Sequence, residues 1–281
     1  MKFKDLLEWK NIYRGMMVGA ADLVPGVSGG TIAVLLGIYD RLLDSIGNFF
    51  KHPVKSIQFL VPLGIGAGLV ILMLSSTIEF LLEHYPQPTN FFFLGLILGI
   101  LPYLLRQADH RTNFKWQHYT VVAAATAFVI FLGLFQGEES TKIITELTLS
   151  SGIFLFFSGW VASMATILPG ISGSFVLLIL GAYSTVIAAV SNLNIAILIP
   201  VGLGVAIGFI VSSKAISYLL HRFPAYMYAV IIGLVFGSIF IVFPGFQAGV
   251  AQGIISLVTL GAGFAVATLL GNTEHTDEKE F

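Results

Sequence analysis

Long apolar runs separated by short polar segments dominate the hydropathy pattern of this chain. A helix needs about 20 mostly apolar residues to cross the hydrocarbon core of a bilayer. Runs near that length predict membrane-spanning helices at about 57–82, 90–106, 118–136, 195–220, 226–243 and 249–270. Two further apolar regions, about 12–46 and 148–190, are each interrupted by a Pro-Gly pair. The pattern therefore predicts an all-α polytopic membrane protein.

The composition agrees with that prediction and narrows the function. Hydrophobic residues make up 56% of the chain and charged residues 10%, whereas soluble domains carry about 25% charged residues. The net charge of −1 gives no basic field for nucleic acid. The chain has no cysteine, which excludes disulfides and cysteine-based metal sites. We expect neither a metal nor a cofactor.

The two interruptions resemble each other. The run Pro25-Gly26-Val27-Ser28-Gly29-Gly30-Thr31 returns as Pro169-Gly170-Ile171-Ser172-Gly173-Ser174. A broken helix in lipid leaves backbone groups unpaired, so it is tolerated only where it faces protein, water or a ligand. Paired breaks at corresponding positions of two halves indicate the binding site of a transporter. Pro25, Gly26, Pro169 and Gly170 are therefore predicted to be the structural breaks.

Positive charge predicts the orientation, because Lys and Arg collect on the cytoplasmic side. If each broken region returns to the side from which it entered, every Lys and Arg except Lys142 lies inside, and both termini are cytoplasmic. If each region crossed once, Arg41, Lys51 and Lys55 would lie on the side opposite the N-terminus. Charge does not separate two crossings from a re-entrant hairpin. Because Gly15–Val24 makes only about 15 Å of helix, we favour re-entrant hairpins, more firmly for the first region than for the second.

The similarity extends beyond the breaks and predicts an internal repeat. Residues 18–43 align with 162–187 without gaps, and this alignment pairs Asp22 with Thr166 and Tyr39 with Tyr183. Further matches in the following helices are Pro62/Pro200, Gly64/Gly202, Gly95/Gly233 and Gly99/Gly237. Each half is then a hairpin plus three spans. Since three crossings are an odd number, the second half is inverted relative to the first, as in secondary transporters.

This repeat defines the predicted domain organisation. A single membrane domain covers residues 1–270, with repeat 1 at about 12–136 and repeat 2 at about 148–270. A polar cytoplasmic tail follows at 271–281. The tips of the two hairpins are expected to meet near the midplane of the membrane.

Polar groups at the breaks predict an anion site. After each Pro-Gly pair a helix begins, and its unpaired N–H groups and dipole suit a phosphate or carboxylate. Arg14 stands at the mouth of the first hairpin, where it either meets an anionic headgroup or anchors the helix at the interface. Capping of the helices by Ser28 and Ser172 is compatible with a site. The predicted headgroup-binding residues are Arg14, Ser28, Gly29, Gly30, Thr31, Ser172, Gly173 and Ser174.

Asp22 lies three residues before Pro25, inside the apolar region. Inserting an acidic side chain into the membrane at this depth costs about 2.5–3.5 kcal/mol. Because of this cost, such a residue is interpreted first as a functional one. Asp22 is therefore predicted to be a coupling site for a proton or cation, or else a partner of Arg14.

The stretch from Arg14-Gly15 through Gly19-Ala20-Ala21-Asp22 to Pro25–Thr31, followed by Gly37-Ile38-Tyr39-Asp40, resembles a bacterial and archaeal family, the PopT-type polyprenyl-phosphate translocases. The second motif, Pro169–Gly173, is similar to that family's second signature. The resemblance covers nearly the whole chain. It implies a transporter, not an enzyme, that flips undecaprenyl phosphate from the outer to the cytoplasmic leaflet of the bacterial cytoplasmic membrane. The recovered carrier would be reloaded for peptidoglycan and other envelope polymers.

Three other functions compete with this interpretation. Both breaks read Gly-x-Ser-Gly, a pattern that would also fit an intramembrane serine protease, but a serine nucleophile needs a nearby base. All six histidines lie in loops or at span ends. A carrier or channel for a small soluble anion is the serious alternative. A pocket opening sideways to lipid would argue against it. A structural membrane protein would tolerate substitution of Ser28, Asp22 and Arg14.

Overall fold

The computed structural model describes residues 7–23, 28–134, 143–144, 146–246 and 250–277, and all regular secondary structure within these ranges is helical. The helices are α1 (Lys10–Asp22), α2 (Gly29–Leu35), α3 (Tyr39–Gly47), α4 (Pro53–His84), α5 (Pro86–Gln107), α6 (His110–Asn113), α7 (Trp116–Leu134), α8 (Leu149–Ile167), α9 (Gly173–Ile179), α10 (Tyr183–Ser191), α11 (Ile195–Arg222), α12 (Pro224–Val242) and α13 (Val250–Asp277).

Seven of these helices are long and apolar enough to cross a membrane, namely α4, α5, α7, α8, α11, α12 and the part of α13 from Gln252 to Gly271. Each of the six predicted spans corresponds to one of them, which confirms a multi-pass membrane protein. α4 is the longest, with 32 residues. Helix α13 continues to Asp277, into the segment predicted as a polar tail.

Proline sets the start of three spanning helices. Pro53, Pro86 and Pro224 each occupy the first turn of α4, α5 and α12. Proline suits this place because its missing N–H has no intrahelical acceptor there and its fixed φ is already helical. A single residue, Tyr85, therefore separates α4 from α5, and Phe223 separates α11 from α12 in the same way.

Both interrupted regions consist of three helices. In the first, α1 has 13 residues and rises about 20 Å, too little to cross the bilayer. In the second, α8 has 19 residues and reaches spanning length. Helices α9 and α10 are bent by 113°, which fits either a broken span or a re-entrant loop. The re-entrant course of the second region therefore stays a prediction. Pro25 and Gly26 lie outside the described residues.

A second break, which the sequence analysis did not predict, divides each region again. It falls at Gly37 between α2 and α3 and at Gly181 between α9 and α10. Both glycines adopt positive φ, 65° and 72°. Glycine takes this conformation without the strain of a Cβ atom, so the matched glycines end a short helix at the same position in both halves.

The packing of the helices also recurs between the halves. Helix α1 packs along α4, and its counterpart α8 packs along α11. Helix α5 packs along α13, and its counterpart α12 packs along α7. The last long helix of each half therefore packs on a helix of the other half, so that the two halves interlock.

We call the interrupted regions α1–α3 and α8–α10 the first and the second hairpin. They differ in how deeply they are buried. All seven residues of α2 are buried, whereas Gly173 is the only fully buried residue of α9. Helix α3 packs against α11, but the equivalent helices α10 and α4 are not a packed pair within the described ranges. The first hairpin is thus enclosed by the bundle, and the second hairpin is more open.

Candidate functional site at the hairpin tips

The first hairpin touches the second where both are broken. An ideal Cβ built on Gly30 would lie 2.5 Å from the carbonyl oxygen of Ile167, so the hairpins meet in direct backbone contact. The Ser28 hydroxyl lies 3.3 Å from the carbonyl oxygens of both Thr166 and Leu168, to which it donates. The predicted meeting of the two tips is therefore present among the described residues.

Polar side chains of the first hairpin satisfy the exposed backbone of the second break. The Gly170 N–H donates to Oγ1 of Thr31 at 2.9 Å, and Thr31 is buried. The Tyr39 hydroxyl donates to the carbonyl oxygen of Ile167 at 3.2 Å. Because lipid offers no hydrogen bonds, these contacts make the break tolerable inside a membrane. Pro169 and Gly170 lie in the turn between α8 and α9.

The amino-terminal end of α2 is closed by side chains of its own hairpin. The Gly29 N–H donates to Oδ1 of Asp22 at 2.7 Å. The Gly30 N–H donates to the Ser28 hydroxyl at 3.1 Å, and the Thr31 N–H donates to the Ser28 carbonyl at 2.9 Å. All three amides are therefore used within the protein, and an incoming anion must displace the carboxylate of Asp22.

The amino-terminal end of α9 is organised differently. Ser172 makes no side-chain capping hydrogen bond. Its hydroxyl instead lies 2.7 Å from that of Ser174, which is exposed. Gly173 is buried, and an ideal Cβ on it would lie 2.1 Å from Oγ1 of Thr166. Since the matching Cβ on Gly29 would lie 2.7 Å from Asp22, Thr166 and Asp22 occupy equivalent places, as the alignment predicts.

Arg14 lies away from this contact. It is eight residues before Asp22 on the same helix, a distance of about 12 Å along the axis. Its guanidinium donates to Oδ1 of Asn11 at 3.3 Å. Asn11 is buried and donates in turn to Glu8, which forms an ion pair with Arg41. The structure therefore places Arg14 at the hairpin mouth and the other predicted site residues at the tips.

Sequence reasoning did not assign Tyr39, Asn11 or Glu8 to the site. Tyr39 had a usable signal, because it is repeated as Tyr183 at the same distance from the break. Asn11 and Glu8 have no repeated counterpart, since Leu155 and Gly152 stand at the equivalent positions. Their role in holding α1 to α3 depends on contacts that only the fold brings together.

Comparison with known proteins identifies the family. The sequence profile described as undecaprenyl phosphate translocase-like matches residues 18–257. This chain belongs to that family. It is 44% identical over 280 residues to a polyprenyl-phosphate transporter of Staphylococcus aureus, an alignment that covers 96% of this chain and 99% of the relative. No solved structure matches the chain.

A second relative supports the same assignment at greater distance. The chain is 35% identical over 245 residues to a polyprenyl-phosphate transporter of Vibrio cholerae, covering 80% of this chain and 74% of the relative. The family and both relatives are named for translocation or transport, which agrees with the prediction that the chain is not an enzyme. In the described residues neither Ser28 nor Ser172 is hydrogen-bonded to a histidine.

An apolar cavity of about 720 Å³ lies between α4, α5 and α13. Two of its lining residues, Tyr85 and Ile255, are 54% and 52% exposed, so the cavity reaches the outer surface of the helix bundle. Phe93 in its wall belongs to the same buried cluster as Ile32 of α2. The lining residues are Ile78, Leu81, Tyr85, Pro88, Thr89, Phe92, Phe93, Gln252, Ile255 and Thr259.

Proposed function

We propose that this protein transports undecaprenyl phosphate from the outer to the cytoplasmic leaflet of the bacterial cytoplasmic membrane, where the carrier re-enters envelope synthesis. The observation that carries the proposal is the contact of two polar helix breaks, at Ser28 and Leu168, inside a bundle of apolar helices. A phosphate headgroup needs polar partners at this depth, while its prenyl tail stays in lipid. The names of the relatives agree with this substrate class.

The headgroup is proposed to bind at the hairpin tips. Ser172 and Ser174 present hydroxyl groups on the more open second hairpin, and Gly173 allows close approach to the backbone. From the first hairpin, Gly29 contributes its N–H once the carboxylate of Asp22 is displaced. Ser28, Gly30 and Thr31 contribute once their own hydrogen bonds at the tips open. Arg14, about 12 Å along α1 from Asp22, would meet the phosphate at the hairpin mouth and not at the tips.

Asp22 is proposed to couple transport to a proton or cation. Its carboxylate accepts from the Gly29 N–H at 2.7 Å, which is a place where a phosphate oxygen could otherwise bind. Two anions cannot share this helix end without strong repulsion. Binding of the headgroup therefore favours either protonation of Asp22 or its pairing with a cation, and this links the two events.

A lipid-like substrate explains the cavity better than a small soluble anion does. The cavity has apolar walls and reaches the outer surface of spanning helices. An apolar groove that is open to lipid holds a prenyl tail without exposing it to water, whereas a soluble phosphate or carboxylate finds no polar partner there. The part of the tail next to the headgroup is therefore proposed to lie in this cavity, and the rest stays in lipid, while the headgroup engages the hairpins.

The two halves are proposed to be inverted repeats that alternate between two conformations. The repeated order of helices and the repeated packing pairs support this arrangement. With both termini in the cytoplasm, α3 meets the carboxyl-terminal part of α11 on the cytoplasmic side, and α10 and the carboxyl-terminal part of α4 lie on the opposite side. We therefore propose that this conformation is the one closed toward the cytoplasm and more open toward the outer leaflet.

A binding experiment tests the substrate class. Thermal unfolding of the detergent-purified protein would be followed with undecaprenyl phosphate, with undecaprenol and with inorganic phosphate. A ligand at 100-fold above its Kd stabilises a protein by about 2.7 kcal/mol. Undecaprenyl phosphate should therefore raise the unfolding temperature, whereas undecaprenol and inorganic phosphate should not. Stabilisation by inorganic phosphate alone would instead favour a carrier of small anions.

A further inference from the structure

Tyr39 is fully enclosed, yet it has one hydrogen-bond partner in the other hairpin. The side chain is 5% exposed, and its hydroxyl donates to the carbonyl oxygen of Ile167 at 3.2 Å. A buried hydroxyl without a partner is costly, and so is an unpaired carbonyl at a helix break. This one bond satisfies both groups and fixes the start of α3 against the end of α8.

The same residues are repeated, but the equivalent bond is absent. Tyr183 begins α10 as Tyr39 begins α3, and the residue equivalent to Ile167 is Leu23. Tyr183 is half-buried, and within the described ranges its hydroxyl makes no hydrogen bond to Leu23 or to another residue. Likewise Ser28 bonds to the second break, whereas Ser172 bonds to Ser174 in its own hairpin. The bonding is therefore one-sided although the residues are duplicated.

The helix packing has the same asymmetry. Helix α3, which Tyr39 begins, packs against α11. Helix α10, which Tyr183 begins, is not packed against α4 in the part of the chain that the structure describes. The hairpin that makes its tyrosine bond is therefore the closed one, and the hairpin that lacks the bond is the open one.

We propose that Tyr39 and Tyr183 are positioning residues that act in turn during transport. The bond from Tyr39 to the Ile167 carbonyl holds the first hairpin closed in the conformation described here. In the opposite conformation, a bond from Tyr183 to the Leu23 carbonyl holds the second hairpin closed. This inference rests on the proposed function, because alternation requires a carrier with two equivalent halves.

Exchange of equivalent bonds also has an energetic consequence. A ligand shifts a two-state equilibrium only by its differential affinity for the two states. A large free-energy difference between the unliganded conformations would therefore trap a carrier in one of them. Replacing one tyrosine–carbonyl bond by another of the same kind keeps the two conformations close in free energy. Each conformation also leaves only one of the two breaks without its tyrosine.

A disulfide across the closed side reports the population of this conformation. An ideal Cβ on Gly47 would lie 3.5 Å from the Lys214 Cα, which is within the reach of a disulfide. Since the chain has no cysteine, the pair Gly47→Cys and Lys214→Cys can be introduced cleanly. The rate of disulfide formation during brief oxidation of the full-length protein in liposomes without substrate then measures how often α3 meets α11.

Removal of each hydroxyl should affect this rate differently. Tyr39→Phe should lower the equilibrium constant for closure by roughly fivefold, the worth of one neutral hydrogen bond. For two conformations of nearly equal free energy, disulfide formation should then slow by roughly threefold. Ser28→Ala should slow it as well, because Ser28 bonds to the same break. Tyr183→Phe should leave the rate equal or faster, and Tyr218→Phe, an exposed tyrosine on α11, should leave it unchanged.

Two results would overturn the exchange of bonds. One is an unchanged rate in Tyr39→Phe, and the other is an equal slowing by Tyr183→Phe. The readout uses no lipid phosphate, so it separates this inference from the proposed function. Suppose that Tyr39→Phe slows disulfide formation and Tyr183→Phe does not, but the protein does not flip undecaprenyl phosphate. The proposed substrate is then rejected, and the exchange of tyrosine bonds is retained. If the protein flips undecaprenyl phosphate normally but Tyr39→Phe leaves the rate of disulfide formation unchanged, or Tyr183→Phe slows it equally, only the exchange of tyrosine bonds is rejected.

Discussion

The carboxylate of Asp22 occupies the amino-terminal end of α2, where its Oδ1 accepts a 2.7 Å hydrogen bond from the Gly29 N–H. The same end was predicted to hold the phosphate of the substrate. A protein anion therefore stands where a substrate anion is proposed to bind, and the two compete. This competition offers a simple physical basis for coupling, because neutralising or moving Asp22 clears the place for the headgroup.

Replacement of Asp22 by asparagine separates its charge from its hydrogen bond. Asp22→Asn keeps an oxygen that accepts from the Gly29 N–H, so the free energy of unfolding should change by less than about 1 kcal/mol. Asp22→Ala removes this hydrogen bond and should cost about 1–3 kcal/mol. Flipping by Asp22→Asn should lose its response to an imposed proton or sodium gradient. The measurement compares initial flipping rates in proteoliposomes with and without each gradient.

The matched control for this prediction is Asp40→Asn. Asp40 is an exposed acid in the first turn of α3 and lies outside the hairpin contact. It should keep the gradient response of the wild type. A full gradient response in Asp22→Asn would contradict the coupling role.

Gly30 should be irreplaceable because of the close contact between the hairpins. Its ideal Cβ would lie 2.5 Å from the Ile167 carbonyl oxygen, so Gly30→Ala must push the tips apart. Overpacking of this kind typically costs about 1–3 kcal/mol, and flipping should fall with it. The measurements are the thermal unfolding temperature in detergent and the flipping rate.

Gly64 provides the control, since it is also a helical glycine but has no atom within 4 Å of its ideal Cβ. Gly64→Ala should be neutral or stabilise the helix by up to about 1 kcal/mol. Equal behaviour of the two alanine variants would show that the contact at Gly30 has no importance for the fold.

Closure between α3 and α11 should be a necessary step of transport. The double variant Gly47→Cys/Lys214→Cys, once oxidised, should be locked in the conformation described here and should stop flipping. A reductant should restore the rate, and each single cysteine variant should stay active under oxidation. Continued flipping by the fully oxidised double variant would contradict the claim that α3 and α11 must separate during transport.

The cavity between α4, α5 and α13 should bind the tail, and not the headgroup. Ile255→Trp fills the cavity and should raise severalfold the concentration of undecaprenyl phosphate needed for half-maximal thermal stabilisation. Farnesyl phosphate, with a much shorter tail, should be affected little. Leu257→Trp is the control, because Leu257 lies on the same helix, is 66% exposed and does not line the cavity. Equal losses for both lipids, or for both variants, would contradict this assignment.

The spanning helices were predictable because their signal is local. Run length and apolarity mark α4, α5 and α7 in the first half, and proline fixes where α4 and α5 begin. The bends at Gly37 and Gly181 were not predicted, because a glycine permits positive φ without requiring it. Only the packed structure decides which glycines use that freedom.

The candidate site was predictable only in part, for a related reason. The repeated motif indicated that two breaks would meet, and Ser28 does bond to Thr166, 138 residues away. Which hydroxyl serves which carbonyl is a three-dimensional property that no local pattern encodes. The enclosed position of α2 and the open position of α9 were not predicted either. Both helices are short and apolar after the first turn, and no local pattern in them indicates which one the other helices cover.

The most direct test of the central claim follows the phosphate headgroup itself. The protein would be placed in liposomes with undecaprenyl phosphate, and the fraction of headgroup that is accessible from outside would be followed over time. Fast equilibration by the wild type, lost in Ser28→Ala and reduced in Ser172→Ala, is the predicted result. Wild-type kinetics equal to those of protein-free liposomes, with and without an imposed ion gradient, would contradict the proposed function.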